Sequence, residues 1–295
     1  MSSAYRAGFL RKHLDIERVS ESNFRASCLE GGANRLFGGQ IVALGVRAAA
    51  ASAATDRHLH SVHAYFLRAG EIGKPVTYMV TTLKDGRSFS TLRVDAIQED
   101  RLICTLVSSL HVDEVSTEHQ ARMPDLPPAS ALERHLEIPP GTNPLLRECF
   151  DMRVATHLPG GDDDDPQPRQ DIWLRALDRL GAGAGVHEGA LCWVTDLTLP
   201  RTADLPHLEE PGQRYAASLD HSLWFHRPFR ADEWLLFCQR SPSYADARGM
   251  SVGHVYRADG RLVASVTQEN LIRRSAPFGP QLQRSVAAAA VGQSS

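Results

Sequence analysis

Residues 37–54 read FGGQIVALGVRAAAASAA. Over this stretch apolar or small side chains occupy every face of a helix, the pattern of a helix buried all round rather than one with a single apolar stripe. Its alanines favour helix and let neighbouring backbone come close. The following residues change period from helical to alternating. The runs 60–68, 76–83, 88–98 and 102–112 are rich in Val, Thr, Tyr and Phe and are separated by turn signals such as Lys84-Asp85-Gly86 and Glu99-Asp100. They predict a meander of strands. One core helix followed by such a meander is an α+β unit.

The unit occurs twice. A second helix is predicted near 187–197, with strands near 217–227, 234–239, 250–256 and 262–272. Phe66 and Phe225, Arg87 and Arg248, and Arg101 and Arg261 are each about 160 residues apart, as tandem copies of one fold require. Between them, residues 123–144 (MPDLPPASALERHLEIPPGTNP) carry six prolines and a short amphipathic patch at 132–136, which reads as a linker. The expected division is a first unit at 1–122, a linker at 123–144, a second unit at 145–276 and a disordered tail at 277–295. The copies differ: all four tryptophans fall in the second half, as does the acidic run 162–165 in HLPGGDDDDPQP. That run lacks EF-hand spacing, and its flanking Gly and Pro mark a solvated loop.

Composition narrows the function classes. A length of 295 residues suits two units, and 42% hydrophobic with 23% charged residues excludes collagen-like, coiled-coil and wholly disordered chains. Lys+Arg 32 against Asp+Glu 35 leaves a net charge of -3, without the basic stripe that nucleic acid needs. The apolar runs 48–54 and 287–291 are too short to span about 30 Å of hydrocarbon, so no membrane span is expected and the chain reads as soluble. The amino terminus shows no secretory signal. Five scattered cysteines without a C-x-x-C pair argue against a disulfide framework or a zinc site and point to a reducing, cytoplasmic setting.

Several motifs invite chemistry. Gly249-Met250-Ser251-Val252-Gly253 matches the G-x-S-x-G nucleophile elbow, which needs a strand before the serine and a helix after it. The residues that follow alternate like a strand, so the elbow is not expected. His58, His60 and His63 crowd together in HLHSVH, but on a strand they would not converge on one metal. His221 and His226 read as packed strand residues. What stays unexplained is a polar set in apolar surroundings: Asp196 ends the run Ala190-Leu-Cys-Trp-Val-Thr195, Ser218 opens a strand, and Gln268 sits in an alternating stretch. A carboxylate there must be capped, paired or functional, and periodicity does not decide which.

At these residues the sequence resembles the acyl-CoA thioesterase II family, which has a tandem double hotdog fold. The matching stretches are LFGGQ at 36–40, SVHAYFLRAG at 61–70, LKDGRSFS at 83–90, LDHSLWFHRPF at 219–229, ARG at 247–249 and DGRLVA at 259–264 leading to Gln268-Glu269. They run in the family's order over about residues 10–275. The resemblance implies two antiparallel sheets, each curled round a helix. It also implies hydrolysis of acyl-CoA to fatty acid and CoA by the catalytic trio Asp196, Ser218 and Gln268, with no cofactor. Asp196 would take a proton from water that Ser218 and Gln268 hold. The first unit, with Gln40 and residues 106–109 in the matching places, would be structural. Arg68, Arg87, Arg227 and Arg248 are candidates for CoA phosphates, although arginines at strand ends commonly bond backbone carbonyls. The alternative is a non-catalytic acyl-CoA-binding protein on the same fold; a hydratase or dehydratase would need an acid and base that the spacing does not supply. Exposed sheet edges favour a homo-oligomer.

Overall fold

Tight turns between the alternating runs close a series of hairpins. In the computed structural model, which describes residues 7–32, 34–134, 143, 148–162, 165–210, 212 and 214–274, Glu99 and Asp100 both take positive φ (46° and 64°). That is the turn whose twist matches antiparallel strands. Asp246 and Ala247 do the same at φ 51° and 58°, and the alanine there costs about 1 kcal/mol of backbone strain.

The helices are α1 (Phe9–His13), α2 (Gly38–Ser52) and α3 (Val186–Asp204). The strands of the first half are β1 (Glu17–Arg18), β2 (Asn23–Ser27), β3 (Glu30–Gly32), β4 (Arg35–Leu36), β5 (His58–Phe66), β6 (Pro75–Asp85), β7 (Phe89–Gln98) and β8 (Arg101–His111). Those of the second half are β9 (Phe150–Leu158), β10 (Arg169–Ala176), β11 (Arg214–Ser218), β12 (Asp220–Phe225), β13 (Leu235–Ala245), β14 (Arg248–Arg257) and β15 (Leu262–Arg274). Thirteen strands form one antiparallel sheet in the order β1-β2-β6-β7-β8-β5-β12-β15-β14-β13-β10-β9, with β11 also on β15. The order mirrors itself about the seam where Leu223 of β12 faces Val62 of β5. Outward from that seam, β8, β7, β6 and β2 on one side correspond to β15, β14, β13 and β10 on the other. This is the tandem double hotdog of the α+β class.

Both long helices pack against one face of the sheet and against each other, in one hydrophobic core that spans both halves. They run antiparallel at close range. A Cβ on Gly39 would lie 2.9 Å from the Trp193 carbonyl oxygen, and one on Gly189 would lie 3.1 Å from that of Ala43. The small-residue composition of 37–54 is therefore what admits the second helix.

Four differences from the sequence reading matter. First, α3 continues past residue 197 to Asp204 and passes through Pro200. Proline has no N–H, so the Asp196 carbonyl receives no helical bond from it. Burial of Leu199, Thr202, Ala203 and Asp204 holds the last turns in place. Second, β9 and β10 do not read as strands because Asp151, Arg153, Arg169, Asp171 and Arg175 dilute the apolar content of the two runs. In the sheet these charges pair, Arg169 with Asp171 at 2.7 Å and Arg153 and Arg175 with Asp151 at 3.2 and 3.4 Å.

Third, the described part of the 123–144 stretch is not a free linker. It lies on the outer face of the second half over Trp173, Leu236, Cys238 and Tyr256, where Trp173 Nε1 donates to the Pro127 carbonyl at 2.8 Å. Fourth, α1 reaches across to the second half, and Asp178 accepts from the Gly8 and Arg11 amides at 2.6 and 3.1 Å. The expected tail at 277–295 lies outside the described residues. Among the described residues no helix is long and apolar enough to cross a membrane.

Candidate active site

Asp196 lies within α3, with two further turns after it, and is 5% exposed. The sequence reading had placed it at the end of a helix. Ser218 does not open a strand but closes β11. It pairs with Asn270 of β15, whereas Ser222 of β12 pairs with Thr267, so one extra residue is inserted around Leu219. Such a bulge re-aims side chains, and here it turns Ser218 inward toward α3. Gln268 stands in the middle of β15 opposite Ser251 and is buried.

The fold brings all three together. Ser218 Oγ donates to Asp196 Oδ1 at 2.9 Å, and Gln268 Nε2 donates to the same oxygen at 2.5 Å and to Ser218 Oγ at 2.8 Å. One carboxylate oxygen thus takes two donors. The other, Oδ2, faces the start of α2, where a Cβ on Gly38 would sit 3.3 Å from it and 3.0 Å from the Phe66 ring. Glycine keeps this approach open. The first amides of α2 have no helical partner and carry the positive end of the helix dipole.

A cavity of about 350 Å³ opens here, lined by Leu36, Phe37, Phe66, Asp196, Ser218 and Tyr215 among others. Arg35, Arg68, Arg201 and Arg214 also border it. Arg35 donates to the Tyr215 hydroxyl at 2.9 Å and to the Ala216 carbonyl. Of the four arginines singled out from the sequence, only Arg68 lines the cavity. Arg227 pairs with Glu118 at 3.2 Å and Arg248 with Glu269 at 3.1 Å. A larger hollow of about 650 Å³ between Arg175, Trp234 and Arg257 holds none of the three polar residues.

His221, read as a packing residue, is fully buried beside the trio, with Nε2 3.0 Å from Thr195 Oγ1. Burial holds the imidazole below its ordinary range, against the upward pull of Asp196, the Cys192 carbonyl and Gln268, so it is neutral at pH 7. The bulge that sets Ser218 and His221 on one face leaves no mark in hydrophobic periodicity, so sequence reasoning missed this neighbour.

Other motifs resolve into packing. Ser251 lies fully buried inside β14 with strand on both sides. Gly249 leaves room for Ala203 of α3 and Gly253 for the Phe237 ring. His60 bonds Ser109 at 2.8 Å and His63 lies edge-on to Trp224. Among the described residues no group of three or more His, Cys, Asp or Glu is placed to hold a metal ion. In the first half, Gln40 accepts from the Leu29 amide at 2.6 Å and donates to the His13 and Ser27 carbonyls. Its amide is spent on the backbone.

Comparison with known proteins agrees with this architecture. Residues 29–111 match the family model of the acyl-CoA thioesterase N-terminal domain, and residues 121–272 that of the acyl-CoA thioesterase C-terminal domain. The chain is 34% identical to acyl-coenzyme A thioesterase 8 of Homo sapiens over 278 residues, 88% of this chain and 87% of that one. It is 34% identical to the crystal structure of an acyl-CoA thioesterase II, TesB2, from Mycobacterium marinum, with a TM-score of 0.79 over 91% of this chain and 100% of that one. A protein with a hot dog fold from Alicyclobacillus acidocaldarius, 17% identical, shares the fold with a TM-score of 0.73 over 90% of this chain and 98% of that one. Both halves are matched in order, and a relative at this identity is covered over most of its length, so the chain belongs to the acyl-CoA thioesterase II family of double hotdog hydrolases.

Proposed function

We propose that this protein hydrolyses fatty acyl-CoA to the free fatty acid and CoA, using water activated by Asp196, whose carboxylate is held in place by Ser218 and Gln268. The observation that carries this reading is the convergence of two polar side chains, Ser218 and Gln268, on one oxygen of the buried Asp196 carboxylate at the wall of a cavity. With Oδ1 anchored, Oδ2 is the oxygen turned toward the start of α2. Water bonded there would lose a proton to Asp196 as its oxygen attacks the thioester carbonyl carbon. The charge on the carbonyl oxygen would be taken up by the free amides of Gly38 and Gly39 at the start of α2. Collapse of the tetrahedral intermediate breaks the C–S bond, and the CoA thiolate recovers the proton from Asp196. A thiolate is a good leaving group, so no serine nucleophile is required.

In this reading the unit at 145–276 carries the reacting groups, and the unit at 1–122 supplies one wall of the acyl channel through Phe37 and Phe66. The competing reading, a non-catalytic acyl-CoA-binding protein, is separated by a thiol-release assay over a series of acyl-chain lengths. Many equivalents of CoA thiol per chain are expected; release at the buffer rate for every length would abandon hydrolysis. The protein's own thiols stay silent in that assay. Burial pushes Cys28 up to about 12 and raises Cys104, Cys149, Cys192 and Cys238 as well, and the thiolate is the reactive form. A thiol reagent added to the native protein without substrate is expected to give almost no fast signal, and full signal after denaturation.

A further inference from the structure

Two polar atoms beside Asp196 are buried without a hydrogen-bond partner: Nδ1 of His221 and Oε1 of Gln268. Their residues are neighbours across two strands. Ser222 faces Thr267 in the ladder between β12 and β15, and the Leu219 and Glu269 backbones bond at 2.9 Å on the far side. His221 and Gln268 therefore stand side by side across the two strands.

A neutral imidazole carries its proton on one of two nitrogens. With the proton on Nε2, the ring donates to Thr195 Oγ1, and Nδ1 turns a lone pair toward its glutamine neighbour. That arrangement leaves two buried acceptors unsatisfied. With the proton on Nδ1, a small shift of the two side chains lets the ring donate to Gln268 Oε1, while Nε2 accepts from the Thr195 hydroxyl. Both orphaned atoms then have partners, in exchange for the 2.8 Å bond from Thr195 Oγ1 to the Leu191 carbonyl. Buried polar groups without partners are uncommon in native proteins, so the second arrangement is favoured.

We infer that His221 is a positioning residue whose Nδ1–H holds the carbonyl oxygen of Gln268 and so fixes the amide with its NH2 toward Asp196 and Ser218. The inference rests on the proposed role of the trio in hydrolysis. It matters because the flipped amide would set a carbonyl oxygen 2.5 Å from the Asp196 carboxylate and remove the donor from Ser218. The carboxylate would then shift away from the geometry that orients water.

The test joins spectroscopy to two variants. In wild-type protein labelled with 15N-histidine, the His221 ring, assigned by its loss in His221→Asn, is expected to show a protonated Nδ1 and a bare Nε2. A ring protonated at Nε2 overturns the inference without reference to any variant, and so holds even if a variant does not fold. His221→Leu fills the space without a donor, and His221→Asn returns an N–H near the place of Nδ1. His221→Leu is expected to lower kcat about tenfold to a hundredfold, comparable to losing the outer partner of a metal ligand, with KM nearly unchanged. His221→Asn is expected to recover most of that loss. Equal kcat in folded His221→Leu and His221→Asn, or wild-type kcat in His221→Leu, overturns the inference while the trio stands. Full turnover in Asp196→Asn, measured alongside, would instead remove the trio itself.

Discussion

Asp196→Asn is expected to lower kcat by about 10²- to 10⁴-fold, the range that general acid–base catalysis contributes, with little change in fold. Asparagine has the same shape and can turn its oxygen toward the Ser218 and Gln268 donors, so the three-residue cluster is kept. What it lacks is the second carboxylate oxygen. In its place an NH2 group would face the start of α2, where Oδ2 now lies 3.3 Å from the Cβ position of Gly38. That group cannot take a proton from water at any accessible pH, and it meets the N–H end of a helix, which favours negative charge. The loss should therefore fall on kcat and leave thermal unfolding nearly unmoved. Thiol release under saturating substrate, with unfolding followed in parallel, measures both; a variant that keeps more than a tenth of wild-type kcat would dismiss Asp196 as the base.

Asp204→Ala is expected to give the largest loss of stability, about 3–5 kcal/mol, as when one partner of a buried ion pair is removed. Asp204 closes α3 with no exposed surface. At the negative end of a helix a carboxylate is unfavourable unless cations offset it. Two do: Arg274 of β15 donates to Oδ1 at 2.7 Å, and Arg214 of β11 pairs with Oδ2. Burial pulls the Arg214 guanidinium down, and Asp204 is the largest influence holding it up. Alanine would leave both arginines facing each other at a buried helix end. The same strands carry Ser218 and Gln268, so kcat is expected to fall as well, even well below the unfolding temperature. Asp204→Asn, which keeps one acceptor and the volume, should lose less. Denaturant unfolding checks the ordering, and a loss below about 1 kcal/mol in Asp204→Ala would mean that water already screens the pair.

Much of this molecule was legible before its structure. The run at 37–54 appears as α2 almost to the residue, the four alternating runs after it are β5 to β8, and the repeat of about 160 residues becomes the mirror order of strands about the β5–β12 seam. Where the reading failed, a local signal was overruled by something distant. Pro200 suggests a stop, yet α3 runs on because its last turns are buried and Asp204 is held by arginines from two strands. The charges of β9 and β10 obscure two buried strands because the pairing that lets them be buried, Arg175 of β10 with Asp151 of β9, forms only once the two strands lie side by side. The proline-rich stretch has the composition of a loose linker, but its first part covers an apolar face that only the assembled second half presents.

The sequence by itself determined the fold class and the duplication, because helix and strand periods are local, and pointed to Asp196, Ser218 and Gln268 as a candidate trio, because a family's motifs are linear. Only the tertiary structure decided that these three share one oxygen, that the second oxygen meets the start of the other unit's helix, and that His221 stands against Gln268. The physical reason is that side-chain partners depend on strand register and on one bulge at Leu219. A shift of one residue there would turn Ser218 to the opposite face, and hydrophobic periodicity gives no measure of it.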